Sequence, residues 1–178
     1  MESNIGSLAV ALDETQTFDF KAVFHGQYPR IVRLVARIVK DHARAEEIAV
    51  EVFWKLWRTP RAQGANANGW LYRTAIRMSL DGLRRQVRRE KYERLFGFPR
   101  ATPTPEQLHS EDQKQKQVRT VLSSMKVRDA EMLLLRSDAL SYQELAQFLG
   151  LNPASVGTLL SRAQQIFRRE YVKRYGQE

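Results

Sequence analysis

Basic and aromatic side chains are concentrated in one predicted helix near the middle of the chain, from Trp70 to about Arg94. Cations at a protein surface bind phosphate groups, and each phosphate neutralised on duplex DNA adds about −0.9 to the salt-dependence slope. Aromatic rings beside such cations are platforms on which unpaired bases stack, worth roughly 1–3 kcal/mol per base. This combination predicts nucleic-acid binding. The side chains concerned are Trp70, Tyr72, Arg73, Arg77, Arg84, Arg85, Arg88, Arg89, Lys91 and Arg94.

Two amide side chains precede this helix in a polar loop predicted at Gln63–Gly69. Asn66 and Asn68 carry donors and acceptors that can read a base edge. Trp70 has a second interpretation, because an aromatic side chain at the start of an amphipathic helix is as readily a core residue as a stacking platform. A basic helix can also be no more than a solvated face. The prediction therefore depends on the whole cluster of residue types.

A second candidate DNA-binding element lies between Ser141 and Arg169. Ser141 and Glu144 have the spacing of a capping box, and Gly150 supplies the left-handed residue that ends the first helix. Asn152 and Pro153 then begin the second helix. This punctuation predicts a helix-turn-helix, although an ordinary helical hairpin uses the same caps. The outward polar face is Ser155, Thr158, Ser161, Arg162 and Gln165, followed by Arg168, Arg169, Lys173 and Arg174.

The composition argues for a nucleic-acid-binding protein and against an enzyme. The chain has 29 Lys and Arg against 20 Asp and Glu, a net charge of +9, which fits a polyanionic partner. It has no cysteine, which excludes disulfides, thiolate metal ligands and cysteine nucleophiles. Its three histidines, His25, His42 and His109, are scattered, and no glycine-rich phosphate loop is present. We therefore expect no catalytic residues, no metal site and no cofactor.

The N-terminus lacks the basic leader of a signal peptide, and no apolar run approaches the roughly 18 residues of a membrane span. We therefore expect a cytoplasmic protein without membrane insertion.

The apolar spacing predicts an all-α fold of two small helical domains joined by a Pro-rich linker. After a tail at residues 1–17, an apolar stripe starts at Phe18, with a kink or break expected at Pro29. Asp41 is expected to cap a second helix that ends near Arg58. Periodicity is lost over Phe96–Pro105, which contains three prolines. The predicted divisions are 1–17, 18–95, 96–112 and 113–178, and the last contains the helix-turn-helix.

Several fragments in this order resemble the extracytoplasmic-function (ECF) class of sigma-70-type sigma factors, the initiation subunits of bacterial RNA polymerase. The resemblance covers about residues 18–95 and 113–172. The fragments are Tyr28–Arg30, Ala45–Trp57, Trp70–Ala75, Leu80–Asp81, Leu83–Arg85, Glu131–Arg136, Leu140–Ala146, Ser155–Thr158 and Ser161–Arg162.

The resemblance implies a role for each part. The second helix would bind core RNA polymerase (its β′ and β subunits) through Glu46, Glu47, Val50, Glu51 and Lys55. The third helix and its loop would recognise and hold open the −10 promoter element through Asn66, Asn68, Trp70, Tyr72, Arg73, Arg77, Asp81, Arg84, Arg85 and Arg88. The last helix would read the −35 element through Ser155, Thr158, Ser161, Arg162, Gln165, Arg168 and Arg169. Promoter DNA is thus a second expected partner, and an anti-sigma factor is a further candidate.

This sequence departs from the usual pattern of the class at several positions. Val50 stands where the class usually has Gln, and Ile76-Arg77 replaces a common Arg-Asn pair. Met125-Lys126-Val127 replaces a Leu-Pro-Pro. In the last helix Leu160 replaces a frequent Lys, and Gln164-Gln165 a His-Arg pair. The −35 helix therefore carries fewer cations than usual, and we expect it to have its own sequence preference.

Two other classes of function compete with this interpretation. A free-standing helix-turn-helix regulator would bind duplex DNA without polymerase, but it needs neither an acidic second helix nor an aromatic basic third one. An enzyme acting on nucleic acid is disfavoured because Glu46 and Glu47 point to different sides of their helix and form no natural acid–base pair.

Overall fold

The computed structural model describes residues 18–96 and 110–176. Within these residues the secondary structure is helical, with no β-strand, which confirms the predicted all-α class. The α-helices are α1 (Phe20–Val39), α2 (His42–Trp57), α3 (Ala67–Leu95), α4 (Ser110–Ser124), α5 (Val127–Ser137), α6 (Tyr142–Leu149) and α7 (Pro153–Tyr175). We call α1–α3 the first bundle and α4–α7 the second bundle.

The first bundle is started by side-chain caps and held by an apolar core. The Asp19 carboxylate accepts the amide of Ala22, and the Asp41 carboxylate accepts the amide of Arg44, so each begins a helix as an N-cap. The break expected at Pro29 was wrong, because α1 runs through this proline as one helix. The core is built from the buried faces of all three helices, including Ile31, Val35, Ala49, Val52, Phe53, Leu71, Ala75 and Leu80.

An aromatic cluster fixes the start of α1 against the end of α2. The Phe20 ring centroid lies 5.1 Å from that of Trp57, and the Phe24 centroid lies 4.9 Å from that of Phe53, both with edge-to-face geometry. After the end of α2, the Gln63 side-chain amide donates to the carbonyl oxygens of Leu56 and Trp57. It thereby supplies hydrogen bonds to backbone acceptors in the last turn of that helix.

The third helix begins earlier than its sequence predicts. We expected a loop through Gly69 and a start at Trp70, but α3 starts at Ala67, after a 3₁₀ turn at Pro60–Ala62. Asn68 and Gly69 therefore belong to the helix. This places both residues, and the basic positions after them, on one rigid 29-residue element.

The helix-turn-helix is confirmed in its capping details. The Ser141 hydroxyl accepts the Glu144 amide, and the Glu144 carboxylate accepts the Ser141 amide at 2.7 Å, which completes the capping box. Gly150 ends α6 with φ of 64°, and the Asn152 side chain caps α7, with Pro153 in its first turn. The prediction ended this helix near Arg169, whereas α7 continues to Tyr175.

The remaining helices of the second bundle differ modestly from expectation. The sequence spacing also predicts helices over Glu106–Met125 and Asp129–Ser137. The first corresponds to α4, Ser110–Ser124, and its predicted first residues, 106–109, lie outside the described residues. The second corresponds to α5, which starts earlier, at Val127. Most of the Pro-rich linker lies outside the described residues, as does the tail at 1–17.

The two bundles pack against each other through α3. This helix contacts α1 and α2 on one side and α4, α5 and α6 on the other. Buried residues from both bundles, such as Leu80, Val121, Ala130 and Leu145, consequently form one continuous apolar core. We call this packing the closed arrangement. Among residues 18–96 and 110–176, no helix is long and apolar enough to cross a membrane.

Candidate functional site

The outer side of α3 forms a polar contact with α5 inside the closed arrangement. Arg77 Nε donates to Glu131 Oε1 at 2.6 Å, and only 2% of the Glu131 side chain is exposed. A buried carboxylate needs such a partner, because desolvation otherwise disfavours its charge. Arg77, which we expected to contact the −10 element, is thus engaged within the protein.

Arg84 lies on α3 seven residues after Arg77, about two helical turns further along, and makes a similar contact. Its Nε donates to the Ser123 carbonyl oxygen at 2.9 Å, and its Nη2 donates to that of Met125 at 3.1 Å. These carbonyls belong to the end of α4, where backbone acceptors lack helical partners and the helix dipole favours a cation. Asp81 Oδ1 accepts from Arg84 Nη1 at 3.2 Å and orients the guanidinium.

The aromatic side chain expected to stack on bases is covered by the second bundle. Tyr72 is 4% exposed, and its ring centroid lies 5.1 Å from that of Phe148 on α6. Burial is also the main cause that raises the pKa of Tyr72 above 10.0. In the closed arrangement the Tyr72 ring is therefore part of the core between the bundles, and its contact with unpaired bases stays a prediction.

Gly69 explains how closely α3 and α6 approach. A Cβ added at Gly69 would lie 2.9 Å from the Phe148 Cα and 3.3 Å from the Phe148 carbonyl oxygen. Since the first of these atoms is rigid backbone, no side chain fits there without moving one of the helices. Glycine at this position allows the closed arrangement.

A polar cleft of about 830 Å³ runs between α3 and the second bundle. Its lining includes Asn66, Arg73, Arg77, Asp81 and Glu131. Burial, followed by the neighbouring charge of Arg77, lowers the pKa of Arg73 below its usual value. The structure thus brings four of the expected −10 residues to one cleft.

Of the other residues expected at the −10 element, two near the start of α3 are half-buried and two further along it are exposed. Asn68 and Trp70 are half-buried, and Trp70 packs against the apolar core, which favours the core interpretation left open by its sequence position. Arg85 and Arg88 are exposed on α3. These two cations are therefore accessible to a phosphate backbone in the closed arrangement.

The candidate −35 surface on α7 is open throughout. The apolar spacing of α7 predicts that Val156, Leu159, Leu160 and Ala163 pack inward. Val156, Leu160 and Ala163 are buried against the rest of the second bundle, whereas Leu159 is half-buried. Burial of Leu160 accounts for an apolar residue, in place of a lysine, at this position. The exposed residues of this face include all those expected: Ser155, Thr158, Ser161, Arg162, Gln165, Arg168 and Arg169.

The candidate polymerase-binding surface on α2 is exposed and partly apolar. Glu46, Glu47, Val50, Glu51 and Lys55 all face solvent, and Lys55 pairs with Glu51 at 3.1 Å. Sequence reasoning missed two residues beside them. Trp54 and Trp57 are 57% and 58% exposed, next to Val50 at 55%.

These three side chains recur at helical spacing, and exposed aromatic side chains of this kind are typical of protein interfaces. In the sequence, Trp57 follows Ala49 and Phe53 at four-residue spacing, and such an apolar stripe predicts core packing as readily as an exposed interface.

Two residues that organise the covered face of α3 also went unnoticed. Glu131 stands between apolar neighbours on α5, which is the pattern of a buried carboxylate with a distant partner. Phe148 has the spacing of one apolar face with Leu145, Ala146 and Leu149, which predicts packing within its own helix pair and gives no sign of a contact with α3. Over the described part of the chain, no group of three His, Cys, Asp or Glu side chains is placed to hold a metal ion.

Family comparisons match both bundles. Sigma-70 region 2 matches residues 24–89, within α1–α3, and Sigma-70, region 4, matches residues 115–165, within α4–α7.

Individual relatives give the same result. The chain is 27% identical over 157 residues to the ECF RNA polymerase sigma factor SigE of Mycolicibacterium smegmatis, covering 84% of this chain and 60% of that protein. It is 26% identical over 153 residues to the probable RNA polymerase sigma factor RfaY of Xanthomonas campestris pv. campestris, covering 82% and 38%. The chain therefore spans 60% or less of the length of these relatives.

The fold resembles that of the sigma factor RpoE, solved in complex with the anti-sigma factor NepR from Bartonella quintana. The TM-score is 0.50 at 18% identity, over 86% of this chain and 97% of that one. Region 2 followed by region 4, in the order and positions that the helices occupy, places the chain in the sigma-70 family, in its ECF class.

Proposed function

We propose that the chain is an initiation subunit that binds core RNA polymerase and directs it to promoters with −10 and −35 elements. The observation that carries this proposal is the exposed acidic and aromatic surface of α2, with Glu51, Trp54 and Trp57, in a chain that also has a helix-turn-helix. A regulator that acts alone has no use for such a surface. Association with polymerase would locate the protein in the cytoplasm.

The division of labour follows from the exposure of each helix. α7 presents polar and basic side chains to a major groove, with Arg162 suited to bidentate contacts with a guanine. α3 supplies Asn66, Arg73 and Asp81 to the −10 element, together with the cations Arg85 and Arg88. The protein acts by binding, and the chemistry of RNA synthesis belongs to its partner.

The closed arrangement adds a requirement for opening. Tyr72, Arg77 and Arg84 are engaged with the second bundle, so they become available to an opened DNA strand only when the bundles separate. An anti-sigma factor that bound both bundles would hold them closed. The solved complex of RpoE with NepR supports an anti-sigma factor as a partner class.

In vitro transcription with purified core polymerase tests the proposal. We expect a stable complex and transcripts from a defined set of start sites, and neither from core polymerase alone. The matched pair of variants is Trp54→Ala, on the proposed polymerase surface, and Tyr175→Ala, an exposed aromatic at the end of α7. Promoter binding without any polymerase complex would instead identify a free-standing regulator and overturn the proposal.

A further inference from the structure

An apolar groove crosses the junction between the two bundles. It has a volume of about 500 Å³ and is formed by the end of α1 together with α4, α5 and α7. Its apolar lining includes Leu34, Ile38, Val118, Leu134 and Phe167. A groove of this composition is suited to a short apolar segment of protein chain.

The rim of the groove is positively charged. Arg37, Lys40, Lys114 and Arg119 line it, and none of the described lining residues is a carboxylate, although Arg37 is paired with Asp138 beside the groove. An occupant that combines apolar and acidic side chains would complement both the floor and the rim.

The first 17 residues of this chain have that combination. They include three carboxylates, Glu2, Asp13 and Glu14, and no lysine or arginine. Leu8, Val10 and Leu12 are spaced by two positions, which places them on one face when the segment is extended. The segment is therefore apolar along one side and acidic at its C-terminal end.

The segment is also long enough to reach the groove. Leu34 lies fourteen residues after Phe20 in α1, which corresponds to about 21 Å along the helix. In extended conformation, the six residue steps from Leu12 to Phe18 span about 20 Å, and the ten steps from Leu8 to Phe18 span about 33 Å. Leu8 and Leu12 thus bracket the distance that has to be covered.

We propose that residues 1–17 bind in this groove in extended conformation, with Leu8 on its apolar floor, Leu12 at the edge nearest Leu34, and Asp13 and Glu14 on the approach to its basic rim. Bound there, the segment contacts α1 and the second bundle at once, and it stabilises the closed arrangement. The proposal goes beyond the proposed function and requires no polymerase for its test.

Because the chain contains no native cysteine, pairs of introduced cysteines report the position of the segment directly. The test pair is Leu12→Cys with Val118→Cys in the full chain. The control pair is Leu12→Cys with Val50→Cys, on the exposed side of α2. Trp57 contacts Phe20, and Val50 lies seven residues before it, about 10 Å along α2. A segment without a preferred site would therefore reach Val50→Cys at least as readily as the groove.

We expect the intramolecular disulfide of the groove pair to form about tenfold faster than that of the control pair, since binding raises the effective concentration of the two thiols. Thermal unfolding of the reduced proteins checks that both variants are folded. Equal rates, or a faster reaction at Val50→Cys, would overturn the proposal. A disulfide that forms only between chains, with a rate that rises with protein concentration, would assign the groove to a second copy and overturn it as well.

A second measurement separates binding from simple proximity. In the groove pair, Leu8→Asp should lower the rate to that of the control pair, because it removes an apolar contact with the floor. Ser7→Asp adds the same charge at the neighbouring position and should leave most of the rate intact. If both substitutions lowered the rate equally, the apolar contact proposed for Leu8 would be wrong.

Discussion

The guanidinium of Arg77 and the carboxylate of Glu131 join two halves of the chain that are 54 residues apart in sequence. Glu131 is buried, whereas the Arg77 side chain is 55% exposed, so solvent screens part of their attraction. The arginine is nevertheless the partner that makes burial of this carboxylate tolerable. The pair therefore connects the stability of the closed arrangement to a residue expected at the −10 element.

Replacing Arg77 should destabilise the protein because it leaves the Glu131 carboxylate buried without its partner. We expect Arg77→Ala to lower the free energy of unfolding by about 1–2 kcal/mol, below the range for a fully buried pair. Urea denaturation measures the change. The matched control is Arg85→Ala on the same helix, which we expect to change stability by less than about 0.5 kcal/mol. Equal effects of the two substitutions would contradict the role assigned to Glu131.

Adding one methyl group at Gly69 should separate the bundles. Its Cβ would lie 2.9 Å from the Phe148 Cα, so Gly69→Ala forces α3 and α6 apart. We expect an increase in the radius of gyration, measured by small-angle X-ray scattering, while the helical circular dichroism remains. Gly82→Ala, also within α3 but with open space around its Cβ, is the control and should leave the radius unchanged. An unchanged radius in Gly69→Ala would mean that α6 yields locally.

The capping box should make the stability of the helix-turn-helix depend on pH. The backbone hydrogen bond from Ser141, followed by its side chain, lowers the pKa of Glu144 below 4.5. A lowered pKa in the folded state contributes stability that is full above the unfolded value and is lost as the pH falls through the folded one. The stability advantage of the native chain over Glu144→Gln should therefore shrink between about pH 6 and pH 3, in denaturation curves at several pH values. An advantage that grows on acidification would contradict this assignment.

The two DNA-facing helices should respond differently to substitution. Arg162→Ala should weaken binding to promoters with a −35 element by about 1–3 kcal/mol and relax the sequence preference there. Arg88→Ala should weaken binding to many promoters alike and lower the salt slope by about 0.9 if its phosphate is in duplex DNA. Transcription from a panel of promoters, at several salt concentrations, separates the two patterns. Identical promoter profiles for both variants would refute the proposed division.

The exposed tryptophan of α2 should carry much of the affinity for core polymerase. We expect Trp54→Ala to weaken the complex by about 2 kcal/mol or more, as is typical of a buried aromatic at an interface centre. Fluorescence anisotropy of the labelled protein with core enzyme measures the dissociation constant. Tyr175→Ala should bind with native affinity, and a comparable loss there would indicate a general effect on folding.

The helix boundaries that the sequence predicts well are those set by local interactions. Asp41, Ser141, Gly150 and Asn152 act on residues two to four positions away, so their effect can be inferred from spacing alone. The start of α3 was missed because Asn68 and Gly69 have low helix propensity. Packing against Phe148 overrides that propensity, and nothing near Gly69 in sequence indicates it.

The same reasoning explains what could be predicted of the candidate site. Apolar periodicity separates Leu160 from Arg162, so the exposed face of α7 was predictable. The contacts of Arg77 and Arg84 with the second bundle were not predictable. Their acceptors lie 54 and 39 residues away, and contacts at such separations leave no periodic pattern in the sequence. Trp54 and Trp57 show a further difficulty, since an apolar side chain at helical spacing serves a core and a partner equally well.

The exposed face of α7 and the covered face of α3 differ in their accessibility to DNA in the closed arrangement. Arg162 and its neighbours can meet a major groove at any time, whereas Tyr72 becomes available only in the fraction of molecules that have opened. Every 1.4 kcal/mol of free energy in favour of closing reduces that fraction, and the apparent affinity for an unpaired strand, about tenfold. Under the proposed function, a ligand or partner adjusts the output of this subunit by shifting one equilibrium, without competing for the promoter itself.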